Sequence, residues 1–176
     1  MRKGILVTLL TLTVSAFAGT GEALASGMGE EKVDVKLSAF PNVTTSAGGS
    51  ATFTLGKDGK AIHYKLNLDG IENVTMAHIH AVGEGGKPGP VIAWLYPAAG
   101  GGPALKEGKF SGAIAEGDIT SDKLAGPWKG KSVKDLFEEI EYGKALVAVH
   151  TKQNPGTEIW GVYKESGHGK MEKKKM

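Results

Sequence analysis

A two-residue alternation of apolar and polar side chains, repeated in short stretches and cut by glycine-rich turns, sets the narrowest limits on this fold. Val33, Val35 and Leu37 alternate with Asp34, Lys36 and Ser38, and Ala51, Phe53 and Leu55 alternate with Thr52 and Thr54. Residues i and i+2 of a strand share a face, so each stretch predicts a half-buried strand. Ser46–Ser50, with Gly48 and Gly49, reads as punctuation between these two strands. Lys57-Asp58-Gly59-Lys60 reads as a hairpin turn, because Asp-Gly supplies the positive φ that tight turns need. The alternation resumes at Ile62, Tyr64, Leu66 and Leu68. Further strands are expected over Val74–Ala81, Pro90–Tyr96, Lys109–Ala115, Ala145–His150 and Thr157–Tyr163. One helix is predicted: Ser132 caps it with Asp135 three residues on, Val133, Leu136, Phe137 and Ile140 form one apolar stripe, and Gly143 ends it. About eight short strands and one short helix predict an all-β fold, an antiparallel Greek-key sandwich or barrel.

The N-terminus predicts export. Arg2 and Lys3 precede an uncharged apolar run from Ile5 to Ala18, and Ala23-Leu24-Ala25 fits a small-x-small cleavage site. That order reads as a signal peptide over residues 1–25, with a cut after Ala18 and an uncleaved anchor as rivals. A leader over 26–31 and a domain over 32–163 follow, then a Lys-rich tail over 164–176 whose polar, aperiodic composition predicts disorder. The chain contains no cysteine, so disulfides and thiolate chemistry are excluded. Arg2 is its only arginine, so the processed domain has none. Bidentate phosphate recognition favours arginine, which argues against nucleic acid as a partner.

Several segments, in order, carry a resemblance. Leu37-Ser38-Ala39-Phe40-Pro41-Asn42-Val43 precedes Thr45-Ser46-Ala47-Gly48. Leu68-Asp69-Gly70-Ile71-Glu72-Asn73-Val74-Thr75 runs into Ala77-His78-Ile79-His80. Gly89-Pro90-Val91-Ile92 follows a glycine-rich loop. Val149-His150-Thr151 leads to Asn154-Pro155-Gly156 and Glu158-Ile159-Trp160-Gly161. The chain resembles the CHRD domain, the module first described in chordin and also found in exported bacterial proteins, from about Lys32 to Tyr163. It departs from that pattern at Phe40-Pro41-Asn42-Val43, where the family often has a Glu-Val-Pro-Pro-like stretch. Trp160 stands where the family's closing strand often has arginine, so no role of that arginine is carried over. The same residues are distantly similar to copper–zinc superoxide dismutase. That similarity implies an immunoglobulin-like, superoxide dismutase-like fold and puts His78, His80 and His150 at copper-ligand positions. The bridging histidine expected after Gly89-Pro90 is replaced by Val91, and the zinc subsite, the disulfide and the guiding arginine have no counterparts. The chemistry of a dismutase is therefore not expected.

The three histidines stand on their own spacing as well. His78 and His80 share one face of a strand, with Cα atoms about 7 Å apart, and can converge on one ion. A third imidazole from a neighbouring strand, His150, completes a nitrogen set suited to copper or zinc. The same residues could instead form a hydrogen-bonded cluster that fixes strand register. His63 falls on the polar face of its strand, and His168 lies in the tail. No residue is assigned as catalytic. Two functions follow. The first is an exported, non-catalytic binding or structural module, periplasmic or secreted and monomeric, whose partner is a protein or envelope component and which has no membrane span after processing. The second is a copper- or zinc-binding protein built on His78, His80 and His150. Convergence of the three ring nitrogens separates them.

Overall fold

The computed structural model describes residues 30–98 and 102–165. The signal peptide expected over 1–25, most of the leader, His168 and nearly all of the Lys-rich tail lie outside the described residues.

The described residues form seven strands and one α-helix: β1 (Lys32–Ala39), β2 (Gly48–Leu55), β3 (Ala61–Val82), β4 (Pro88–Tyr96), β5 (Lys106–Thr120), α1 (Val133–Glu141), β6 (Ala145–Thr151) and β7 (Ile159–Val162). All pairings are antiparallel. β1 pairs with β2, β2 with β3, β3 with β6, β6 with β7, and β7 returns to β1. These five strands close a barrel, and β4 and β5 extend from it along β3.

The expectation of about eight strands is corrected to seven, because the stretches Ile62–Leu68 and Val74–Ala81 are one 22-residue strand. Asp69-Gly70 and Asn73 looked like a break. Gly70 and Asn73 do adopt positive φ, of 63° and 52°. The ladder to β5 absorbs them as register shifts between Leu68 and Ile71 and between Glu72 and Val74. Such bulges bend a strand without ending its pairing. Asn73 is held there by its own side chain, whose Oδ1 accepts from the Gly108 N–H at 2.9 Å. Gly48 and Gly49 are likewise part of β2 and not a turn. A Cβ on Gly49 would lie 2.4 Å from the Asn67 carbonyl oxygen, so the residue is glycine because two strands approach closely there.

The alternation in β1 reads out as expected, with Val33, Val35 and Leu37 inward and their neighbours exposed. Phe53, Ile62, Leu66, Ile71, Ile79 and Leu95 fill the barrel. Tyr64 reaches through it to donate from its hydroxyl to the Leu95 carbonyl at 2.8 Å, and burial raises its pKa. α1 forms where expected: Ser132 Oγ accepts from the Asp135 N–H at 3.1 Å, and Val133, Leu136, Phe137 and Ile140 are buried. That apolar stripe packs against β2, β3 and β6.

Closure depends on Gly161 in β7. A Cβ there would sit 2.1 Å from the Lys36 carbonyl oxygen and 2.9 Å from side-chain carbons of Val35 and Leu37. Gly161→Ala should therefore destabilise the fold by about 2–3 kcal/mol, as overpacking does. For a domain of this size that lowers the melting temperature by roughly 5–10 °C. An unchanged thermal melt would show that β1 and β7 are not pinched together.

Candidate metal centre

The site lies on β3 and β6, on the side of the sheet facing away from the core. Ala77 and Ile79 point into the barrel, so the alternating His78 and His80 point out of it. On β6, Val149 is core and His150 shares the outer face. The register sets Met76 opposite His150 and His78 opposite Ala148, so a small side chain lies beside His78. These outward residues are nonetheless covered: His78, His80 and His150 are 5%, 7% and 6% exposed. Part of the cover is Trp94 of β4, the register partner of His78, whose ring meets His78 edge to face at 4.2 Å between centroids.

One ring nitrogen from each histidine lies within 4.8 Å of those of the other two. Two of the rings are oriented by backbone carbonyls. His80 Nδ1 bonds the Gly89 carbonyl at 2.8 Å, and His150 Nδ1 bonds the Pro155 carbonyl at 3.1 Å. A carbonyl only accepts, so each Nδ1 carries the hydrogen and each Nε2 is left with a lone pair. His150 Nε2 lies 3.2 Å from His78 Nδ1, which donates to it. His78 Nε2 then also bears a lone pair. His78 Nε2 and His80 Nε2 are buried without a hydrogen-bond partner. An unsatisfied buried polar atom costs about 1–3 kcal/mol.

All three rings are held neutral. His78 is pushed down to about 3, by burial first and then by the like charges of His150 and His80. Burial lowers His80, opposed by its bond to the Gly89 carbonyl. Burial and His80 lower His150, opposed by the Pro155 and Gly156 carbonyls. Neutral imidazoles whose second nitrogen donates to a backbone carbonyl, as in His80 and His150, are the arrangement that metal-binding histidines adopt; His78 donates instead to His150. In a tetrahedral zinc site, ligand nitrogens lie about 3.3 Å apart. The three ring nitrogens, within 4.8 Å of one another, are somewhat wider apart than that in the metal-free chain. The donors are nitrogens alone, which suits copper or zinc rather than magnesium or calcium.

A family model, the CHRD domain, matches residues 25–162. The chain belongs to the CHRD domain family. No curated protein and no solved structure matches it. In this CHRD domain the segments that carry the family pattern are the ones that build the site. Gly89-Pro90 supplies the carbonyl under His80, and Asn154-Pro155-Gly156 supplies the one under His150. In the sequence Gly89 reads as the end of a glycine-rich loop and Asn154-Pro155-Gly156 as a turn, so their acceptor roles were missed. Trp94 was missed too, because its strand is apolar throughout. His63 is exposed, bonds Asp118 at 3.0 Å and takes no part in the cluster.

The pKa directions fix the pH dependence of the metal-free domain. An unfolded histidine titrates near 6.5, whereas the folded rings resist protonation. Below about pH 6.5 the unfolded chain binds protons that the folded chain refuses, so stability is full above that pH and falls toward about pH 3, where His78 protonates. Urea midpoints between about pH 7 and pH 4 should decline, and His78→Gln should flatten part of the decline. Parallel curves for the two proteins would contradict the neutral assignment.

Proposed function

We propose that this CHRD domain works outside the cytoplasm and holds one copper or zinc ion on His78, His80 and His150. The observation that carries the proposal is the pair of buried, unpartnered Nε2 lone pairs on His78 and His80, in a cluster that brings one ring nitrogen from each of the three histidines within 4.8 Å of the others. Export is supported by the charged, apolar and small-residue order of the N-terminus and by the extracellular setting typical of CHRD domains. Among the described residues no helix is long and apolar enough to cross a membrane. When bound, the ion would supply Lewis acidity or, as copper, one-electron redox capacity. The chain's own contribution is to keep the imidazoles deprotonated, oriented and shielded by Trp94.

A second reading has an observation of its own. The His78–His150 hydrogen bond already joins β3 to β6 without an ion. On that reading the cluster fixes register, and the domain is a non-catalytic binding or structural module whose partner is a protein or envelope component, as the family suggests.

Metal analysis of the processed domain, prepared without a histidine tag and incubated with copper or zinc, separates the two. The metal reading expects close to one equivalent retained, and none in the triple His78→Ala, His80→Ala, His150→Ala variant. A wild-type domain that retains no metal while folding normally would leave the second reading standing.

A further inference from the structure

A chain of hydrogen bonds that ends on His150 begins at a buried carboxylate. Glu158, 7% exposed, follows the loop between β6 and β7. Its Oε1 accepts from Thr45 Oγ1 at 2.9 Å, and its Oε2 accepts from Thr151 Oγ1 at 2.5 Å and from Asn154 Nδ2 at 3.0 Å. None of the ion pairs among the described residues involves it. A buried carboxylate without a cation is tolerated only when its lone pairs are filled, and here three neutral donors fill them.

Two of those donors belong to the loop that serves the histidine site. Thr151 Oγ1 also accepts from the Asn154 N–H at 3.0 Å, and the Thr151 N–H donates to the Asn154 carbonyl at 3.3 Å. The next residue, Pro155, carries the carbonyl that accepts from His150 Nδ1. The carboxylate itself is firmly mounted: the Glu158 N–H donates to the Val149 carbonyl at 2.8 Å, and its carbonyl accepts from the Phe40 N–H at 2.9 Å.

We propose that Glu158 is a positioning residue for the histidine site. By fastening Thr151 and Asn154 it aims the Pro155 carbonyl at His150 Nδ1, which keeps the hydrogen on that nitrogen and its lone pair on Nε2, toward His78. Glu158 touches none of the three rings and acts on His150 through the loop. Its effect on metal affinity rests on the metal reading above, whereas its effect on the His150 ring is a property of the metal-free chain. His80 is the internal control, since the Gly89 carbonyl, at the start of β4 and away from this loop, orients it.

Nitrogen NMR of the imidazoles in the metal-free domain, paired with a zinc titration, tests this. In the wild type, His150 and His80 should each carry the proton on Nδ1. In Glu158→Ala, His150 should become a mixture of tautomers while His80 is unchanged, and zinc affinity should fall about 10–100-fold, the usual loss for an outer-shell partner. Glu158→Gln keeps an oxygen acceptor for Thr151 and Asn154 and should restore most of both signals. Should Glu158→Ala fail to fold, Thr151→Val replaces it, with the same change expected at His150. A folded variant with wild-type His150 tautomer and zinc affinity would overturn the proposal. Absence of zinc binding in the wild type would sink the metal reading alone, because the ring spectra would still decide the role of Glu158.

Discussion

The continuity of β3 is the constraint on which the rest depends. It pairs with β2, β4, β5 and β6, and only β1 and β7 of the remaining strands do without it. A straight strand could not serve so many neighbours. The left-handed positions at Gly70 and Asn73 divide it into a segment paired with β2 and a segment paired with β6 and β4, with β5 running alongside the bend. That bend closes the barrel and sets His78 and His80 beside His150. Fold and site therefore have one origin: two residues whose backbones accept positive φ, glycine freely and asparagine with help from its own side chain.

The histidine site illustrates how burial and orientation act together. Burial keeps the rings neutral, because a charged imidazole loses its hydration there. Neutrality alone would leave each ring free to choose which nitrogen carries the hydrogen. The carbonyls of Gly89, at the start of β4, and of Pro155, in the loop after β6, make that choice for His80 and His150. His150 Nε2 then accepts from His78 Nδ1, which leaves the Nε2 lone pairs of His78 and His80 buried without a donor. A cluster built only to fix strand register would gain from satisfying those atoms, so leaving them bare points toward a cation.

The two departures from the family pattern meet in space. Phe40, in the segment that differs near β1, packs edge to face on Trp160, which stands in place of the family's arginine, with ring centroids 5.3 Å apart. The changes thus form one aromatic contact on the outside of the β1–β7 closure. Phe40 also donates its backbone N–H to the Glu158 carbonyl, which ties this contact to the residue behind the site.

The sequence alone determined the elements whose signals are local. Period-two alternation gave β1 and the second half of β2, Ser132 with Asp135 and the apolar stripe gave α1, and the His-x-His spacing with Val-His-Thr named the three histidines now found together. These are legible because a side chain's face follows from its neighbours along the chain. What only the tertiary structure decided was non-local. Whether Gly70 and Asn73 end a strand or bend it depends on β5 being present to carry the ladder past them. Whether Gly48 and Gly49 turn or pair depends on how closely β3 approaches. The tautomers of His80 and His150 depend on carbonyls of separate segments, and the carboxylate of Glu158 depends on donors as far away in sequence as Thr45. Hydrogen bonds of this kind leave no periodic trace, because a carbonyl oxygen belongs to every residue and its partner is chosen only when the chain has folded.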